Sequence, residues 1–248
     1  MNKRNGVGMT KGRLKAVLDM TPACKTAADI GCDHGKLAVA LIESGKAKHV
    51  IATDISAASL HKAQLLACAY PKGRIECRLG DGLMPLQTGE ADTVIMAGWG
   101  GRNMAKALIA GKDRLTRHTQ LILQPMSEVY ELRRDLSAHG FRILDESIVR
   151  EDRRCYEIIR LALGDAGAYT LQQLRFGPVL LQNRSKLLYE RLQKETEQKK
   201  ARRDMLLQKE TCNAQSRAKE LNDEIEELIQ VIYMLKNGRQ EDEDGRNM

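Results

Sequence analysis

The first two thirds of the chain alternate between two hydrophobic patterns. Apolar runs with the length of buried strands lie at 26–30, 49–55, 91–101 and 120–125, and the segment 74–82 alternates between apolar and polar residues before it turns. Segments of about ten residues with helical spacing lie between or after them, at 35–45, 57–70, 103–111 and 129–140. Strands that alternate with helices predict an α/β fold with a mostly parallel, doubly wound sheet.

The end of this pattern departs from the alternation. Two strand-like segments, FRILDESIV and CYEIIRLAL, follow each other without a helix between them. The final strand is therefore expected to pair antiparallel. We predict that residues 1–164 form one α/β domain.

After Gly164 the composition changes. Residues 185–236 are charged, nearly free of glycine and proline, and helical in pattern. An apolar seam steps by four and three through Ala214, Ala218, Leu221, Ile225, Leu228, Ile232 and Leu235. We predict a helical coiled-coil domain over 165–238, folded as a hairpin that turns near 208–213, with a single continuous rod as the alternative.

The seam can close within one chain or between two chains, so the predicted state is a monomer or a weak dimer. The last segment, 239–248, contains the acidic run EDED and is predicted to be a disordered tail.

Composition excludes several classes of protein. The chain has 248 residues, of which 42% are hydrophobic, and no apolar run approaches the length of a membrane span. Its first residues lack the apolar stretch of a secretory signal, so a cytoplasmic location is expected. The six cysteines form no CxxC pair and no Cys/His cluster with zinc spacing, so we expect reduced thiols and no metal.

The formal charge of +7 favours a polyanionic partner such as RNA. One basic patch lies in the first fifteen residues, and a second at 102–117 contains Asp113 as its only acid. We expect RNA backbone contacts from Lys3, Arg4, Lys11, Arg13, Arg102, Lys106 and Arg114. The charges at 199–203 fit either a solvated helix face or further RNA contacts.

The strongest chemical signal is ADIGCDHGKL at 28–37, between a predicted strand and a predicted helix. A doubly wound fold binds its ligand at such a loop. The loop fails the GxGxxG pattern of dinucleotide-binding proteins, because Asp33 replaces the central glycine. A carboxylate there would repel a pyrophosphate, but it suits S-adenosylmethionine, which carries a sulfonium and an ammonium.

Two further acids extend this site. Asp54 ends the second strand, where it can accept hydrogen bonds from both ribose hydroxyls of an adenosine. Asp81 follows the third strand, where methyltransferases contact the adenine amino group, although GDG is also a turn sequence. The predicted cofactor-binding residues are Asp29, Gly31, Cys32, Asp33, Gly35, Asp54, Ile55, Gly80, Asp81, Gly82, Ala97, Gly98 and Trp99.

The fourth strand ends in Ala97-Gly98-Trp99-Gly100-Gly101, at the edge that usually receives the methyl acceptor. The Asn/Asp-Pro-Pro-Tyr element of amino-methylating enzymes is absent, which argues against N6-adenine chemistry. Trp99, the single tryptophan, can stack on a flipped base or on the cofactor, or can be a packing residue.

Together these segments resemble a known family. ADIGCDHGKL, RLGDGL, AGWGG, LILQP, CYEI and FGPVLL, followed by a helical C-terminus, resemble the bacterial tRNA (adenine-N1)-methyltransferases that modify adenine 22 in the D-loop region. The similarity runs from about Gly12 to Lys236. It implies a class I, Rossmann-like methyltransferase domain with a coiled-coil arm, S-adenosylmethionine as cofactor and tRNA as substrate.

Three positions depart from the family pattern. Lys36 replaces an aromatic residue of the loop, Trp99 replaces the methionine of AGMGG, and Met126 replaces the asparagine of QPN. The last change removes an amide near the acceptor.

The resemblance places Asp33 at a loop position that faces both the sulfonium and the acceptor. We therefore expect Asp33 to be catalytic, with His34 as a helper. Asp33 also fits a helix N-cap, and His34 a packed or capping histidine. The alternative functions are methyl transfer to another RNA base or to a small molecule, and a non-catalytic RNA-binding scaffold; a dehydrogenase is disfavoured by the loop.

Overall fold

The structure is a computed structural model that describes residues 11–209 and 211–244. Its seven strands are β1 (Cys24–Ile30), β2 (Ala47–Asp54), β3 (Ile75–Leu79), β4 (Thr93–Gly100), β5 (Gln120–Ser127), β6 (Phe141–Glu151) and β7 (Arg154–Leu163). Its helices are α1 (Gly12–Met20), α2 (Lys36–Glu43), α3 (Ala57–Ala67), α4 (Gly101–Ala110), α5 (Val129–Ala138), α6 (Leu171–Phe176), α7 (Pro178–Gln182), α8 (Lys186–Leu207) and α9 (Cys212–Asp244).

All seven strands form one sheet in the order β3-β2-β1-β4-β5-β7-β6. The strands β1 to β5 pair in parallel, and β7 pairs antiparallel with both β5 and β6. The predicted doubly wound sheet and its antiparallel last strand are thus confirmed. Strand order reverses between β1 and β4, which is the switch point where such sheets bind ligands.

Helices cover the two faces of this sheet. Helices α1, α2 and α3 contact one another in sequence order, and α4, α5 and α6 do the same. The central strands are buried on both faces, as in Val94–Met96 and Leu121–Leu123, which explains their continuous apolar runs. The first helical layer closes a core that includes Val17, Leu41 and Leu60.

The α/β unit ends at Pro178, later than the predicted boundary at Gly164. Helix α6 causes the difference. It begins with a capping box between Thr170 and Gln173, and Arg133 of α5 donates a hydrogen bond to the carbonyl oxygen of Leu174. The segment after β7 therefore belongs to the α/β unit.

The second unit begins at Val179 and contains two long helices, α8, which ends at Leu207, and α9, which begins at Cys212. They run antiparallel, because Lys199 pairs with Glu224 and Arg203 donates to Asn222 at 3.1 Å. The residues of the predicted apolar seam of α9 are buried, with one exception. Ile232 is only half-buried, and its neighbour Val231 is fully buried in its place.

Helix α9 continues to Asp244 and includes the acidic run at 241–244, which the sequence assigns to a disordered tail. Residues 245–248 of that predicted tail lie outside the described residues.

A buried charge cluster joins α5 to the antiparallel end of the sheet. The side chain of Arg133 is fully buried, and its guanidinium pairs with Glu146 of β6 at 2.7 Å and with Glu157 of β7. Such a cluster stabilises a fold only while the cation and the carboxylates are all present.

Replacing Arg133 by methionine leaves both buried carboxylates without their shared guanidinium. We expect Arg133→Met to lower the free energy of unfolding by about 3–5 kcal/mol. Urea denaturation measures it, with Arg134→Met as control, because Arg134 is a neighbouring surface arginine that pairs with Asp135. Equal stability of the Arg133 variant and the wild type would contradict this role.

Candidate active site

A cleft of about 560 Å³ lies at the carboxyl ends of β1, β2, β3 and β4. It is lined by all the predicted cofactor-binding residues except Gly35, and also by the predicted catalytic residue His34. The additional lining residues are Arg13, Leu14, Lys36, Leu37 and Met126. Segments far apart in sequence therefore meet at the switch point of the sheet.

The loop between β1 and α2 forms the floor of the cleft. Backbone N–H groups of Gly31 and Cys32 donate to the carbonyl oxygen of Thr53 at 2.8 and 2.9 Å, so the loop stays paired with β2. Gly31 has φ +73°, and a Cβ atom there would overlap the indole of Trp99. Gly35 also has φ +73°, and a Cβ atom there would overlap Ala63 of α3. Gly35 therefore does not line the cleft, but it allows the loop to turn and to pack closely against α3.

Asp54 connects this loop to the next one. Its Oδ2 atom accepts from the backbone N–H of Asp33 at 3.0 Å, and its Oδ1 atom accepts from that of Ser56 at 2.8 Å. Each carboxylate oxygen has a second lone pair, so both can still accept a ligand hydroxyl.

Asp29 lies deepest in the cleft. Asp29 is 3% exposed, and in the part of the chain that the structure describes its Oδ2 atom has no hydrogen-bond partner. Burial raises the pKa of Asp29 to about 7; a hydrogen bond from the Ala38 backbone opposes this shift, and the charge of Asp54 adds to it. A buried, incompletely bonded carboxylate favours a cationic hydrogen-bond donor as its ligand.

Cys32 is also buried, and burial raises its pKa above the usual range of a thiol. The thiol is therefore neutral at physiological pH and unsuited to act as a nucleophile.

Asp33 projects from the loop into the open part of the cleft. Its φ of +48° is left-handed, which aspartate tolerates better than most residues, and its side chain is 68% exposed. Its Oδ2 atom lies 2.8 Å from Nδ1 of His34. The two predicted catalytic residues therefore contact each other at the edge of the cleft.

The acceptor edge is formed by the ends of β4 and β5. Pairing between these strands shifts register at Ala97 and Trp99, which turns the Trp99 indole over Gly31. Gln124 is fully buried, and its Nε2 atom donates to the carbonyl oxygen of Pro125 at 2.8 Å. Met126 follows at the wall of the cleft.

Sequence reasoning missed that Arg13 lines this cleft. Helix α1 packs on β5, β6 and β7, which brings Arg13 to the acceptor edge. Its Nε atom lies 3.2 Å from Glu151, its Nη1 atom donates to the sulfur of Met126 at 2.7 Å, and its guanidinium lies over the ring of Tyr156. Spacing along the chain gives no signal for these contacts, which join residues more than a hundred positions apart.

The predicted basic patches are less open than the sequence suggested. Arg102 pairs with Glu128 at 3.0 Å and with Glu131 at 2.8 Å, two acids that belong to the start of α5. Arg114 donates to the carbonyl oxygen of Leu86 at 3.2 Å and faces Asp113.

The remaining predicted cations differ in their surroundings. Lys106 lines a shallow groove between α4 and α5 together with Arg134 and His139, and Lys11 is exposed at the start of α1. Lys3 and Arg4 lie outside the described residues.

No group of three or more His, Cys, Asp or Glu residues in the described part of the chain is placed to share a metal ion. Among residues 11–209 and 211–244, none of the helices is both long and apolar enough to cross a bilayer.

Comparison with known proteins agrees with this geometry. Residues 27–230 match the family model of tRNA (adenine(22)-N(1))-methyltransferases. The tRNA (adenine(22)-N(1))-methyltransferase of Bacillus subtilis (strain 168) is 31% identical over 227 residues, which cover 89% of this chain and 95% of the relative.

Solved structures show the same similarity. The crystal structure of the B. subtilis tRNA methyltransferase TrmK superposes with a TM-score of 0.78 at 30% identity, covering 90% of this chain and 99% of that one. Sp1610 of Streptococcus pneumoniae, crystallised with S-adenosyl-L-methionine, gives 0.77 at 30% identity and covers 89% and 98%. The chain therefore belongs to the tRNA (adenine(22)-N(1))-methyltransferase family.

Proposed function

We propose that this protein transfers the methyl group of S-adenosylmethionine to N1 of an adenine in tRNA, adenine 22 of the D-loop region. The observation that carries the proposal is the acidic cleft at the switch point of the sheet, built from the loop, strand ends and acceptor edge of a chain in this family. We further propose that the enzyme acts in the cytoplasm as a monomer or weak dimer.

The cleft fits S-adenosylmethionine better than a dinucleotide. Asp54 is placed to accept from the ribose hydroxyls, and Asp81 lines the part of the cleft where the adenine amino group would lie. Asp29 would accept from the ligand ammonium. Asp33 stands where a dinucleotide-binding loop has glycine, and its exposed carboxylate would repel a pyrophosphate.

The acceptor adenine would enter beside Trp99 and the end of β5. A paired adenine uses N1 for Watson–Crick bonding, so the target base must be unpaired or flipped out of its stack. The exposed face of an indole is a suitable stacking surface for such a base.

The reaction is an in-line displacement. The N1 lone pair attacks the methyl carbon, the bond from carbon to sulfur breaks with its electrons staying on sulfur, and neutral S-adenosylhomocysteine and cationic 1-methyladenine result. The thioether leaves without help from an acid, so the protein contributes mainly by aligning the two reactants. A carboxylate beside the base stabilises the new positive charge and can accept a proton from N6. Asp33 has the position and exposure for this role.

Mass spectrometry of nucleosides tests the proposal and the role of Asp33 together. Purified protein with S-adenosylmethionine and unmodified tRNA should produce 1-methyladenosine that maps to position 22. Asp33→Asn, which keeps the tolerance for a left-handed backbone, should lower kcat by about 10²–10⁴.

Asp152→Asn is the matched control, because Asp152 is also an exposed aspartate with positive φ, in the turn between β6 and β7. Full activity of the Asp33 variant would remove Asp33 from the mechanism. Methylation of another nucleoside, or of none, would refute the proposed acceptor.

The raised pKa of Asp29 makes a second prediction. A ligand ammonium favours the ionised carboxylate, so binding releases a proton wherever Asp29 is protonated in the free protein. Affinity for S-adenosylhomocysteine should rise with pH, by up to about tenfold per unit, and level off above a pH of about 7.

Calorimetry in buffers of different ionisation enthalpy measures this proton release. Asp29→Asn should abolish the pH dependence and weaken binding at pH 8. His34→Gln is the comparison variant, because histidine as a residue type also changes charge near neutral pH. A pH dependence that persists in the Asp29 variant and disappears in the His34 variant would assign the proton to His34.

Arg13 is our strongest candidate for a contact with the RNA backbone at the mouth of the cleft. Its Nη1 atom donates to a thioether, which is a weak acceptor that a phosphate oxygen would readily displace. The pairing of its Nε atom with Glu151 fixes the guanidinium in place.

Arg13→Ala should raise the KM for tRNA and reduce the slope of log affinity against log salt by about 1. Affinity for S-adenosylhomocysteine should change little. Lys15→Ala serves as control, because Lys15 lies on the same helix and pairs with Asp19. An unchanged salt slope in the Arg13 variant would exclude a phosphate contact.

A further inference from the structure

His34 lies between two charged side chains at the edge of the cleft. Its Nδ1 atom is 2.8 Å from Oδ2 of Asp33, and its Nε2 atom is 2.8 Å from Nζ of Lys62. Lys62 lies in the middle of α3, and Ser56 is the N-cap residue of that helix. The three side chains form a row of carboxylate, imidazole and ammonium.

This row defines where the imidazole proton lies. A lysine ammonium has only donors, so Nε2 of His34 must accept from it. The single proton of the neutral ring is then on Nδ1, from which it donates to Asp33. Lys62 therefore selects one of the two tautomers of the neutral ring, the one protonated at Nδ1.

The hydrogen bond from His34 also restricts the orientation of the Asp33 carboxylate. That side chain is 68% exposed and sits on a left-handed backbone, while its backbone N–H is held by Asp54. An exposed carboxylate loses its alignment readily unless a neighbour fixes it. His34 is the neighbour in contact with it, and Lys62 fixes His34.

We propose that Lys62 is a positioning residue for methyl transfer, which acts through His34 to hold the Asp33 carboxylate toward the methyl acceptor. This inference rests on the proposed function and adds to it a residue on α3 that does not line the cleft. Lys62 touches neither the cofactor nor the base; its contribution is the orientation and charge of the two residues that do.

Other charged side chains face the same region. Asp54 of β2 holds the Asp33 backbone, Lys36 of α2 and Arg13 of α1 line the cleft, and Asp81 follows β3. Lys62 differs from these groups because its nitrogen lies at hydrogen-bond distance from the imidazole.

Kinetics of Lys62→Met and Lys62→Arg separate this role from a structural one. Loss of the ammonium should lower kcat between about tenfold and a hundredfold, with the KM for S-adenosylmethionine changed less than twofold. Lys62→Arg keeps a cationic donor for Nε2 of His34 and should restore most of the lost kcat.

Lys72→Met is the matched control, since Lys72 is an exposed lysine in the turn after α3. A Lys62→Met enzyme with the kcat of the wild type would overturn the proposal. Thermal unfolding of the variants should match the wild type, because a hydrogen bond between exposed side chains adds little stability.

Nitrogen NMR of ¹⁵N-histidine-labelled protein tests the arrangement without any activity. The signals of the neutral His34 ring, assigned by comparison with His34→Gln, should show that its proton is on Nδ1. A ring protonated at Nε2 would overturn the proposal even in an active enzyme. Absence of methyl transfer by the wild type would refute the proposed function instead, and the NMR result would still decide the role of Lys62 in fixing the ring.

Discussion

Asp54 uses both oxygens of one carboxylate to hold together the two loops that make the cleft. Its contacts with the backbone of Asp33 and of Ser56 join the β1–α2 loop to the start of α3. The strained backbone of Asp33, the position of His34 and the approach of Lys62 all depend on this connection. The parallel pairing of β1 with β2 brings the acid to this place, and a ligand ribose would complete its hydrogen bonds.

Burial and exposure divide the acids of the cleft into different roles. Asp29 is buried with a raised pKa, and we propose that it binds the ligand cation, whereas Asp33 is exposed and faces the open side. The Trp99 indole packs against Gly31 between the cofactor loop and the acceptor edge. A cleft with these acids at its floor and rim suits a sulfonium cofactor and an acceptor that becomes positively charged.

Much of this arrangement was predictable because it depends on local sequence. Continuous apolar runs marked the buried strands, and the glycines and acids at the strand ends marked the cleft before any contact was known. The capping box of Thr170 and Gln173 is equally local, and it would have moved the domain boundary beyond Gly164. In the apolar seam of α9, steps of three and of four residues lead to Val231 and to Ile232, respectively. Only packing against α8 determines which of the two is buried.

The rest depended on contacts between distant segments. The sequence suggests that Arg102 is an unpaired cation. In the fold it pairs with Glu128, the N-cap residue of α5, and with Glu131 in the first turn of that helix. Arg13 reaches the acceptor edge because α1 packs across the far end of the sheet, and Lys62 meets His34 because α3 follows β2 beside the loop. The spacing of residues within one helix or strand does not predict contacts between distant segments.

Fluorescence of Trp99, the single tryptophan of the chain, reports directly on the cleft that it lines. Parallel titrations with S-adenosylhomocysteine and with NAD test the central claim that this acidic cleft is a site for a cationic, methyl-donating cofactor. We expect a saturable change with S-adenosylhomocysteine and none with NAD at the same concentrations. Saturation by NAD, with no response to S-adenosylhomocysteine, would contradict it.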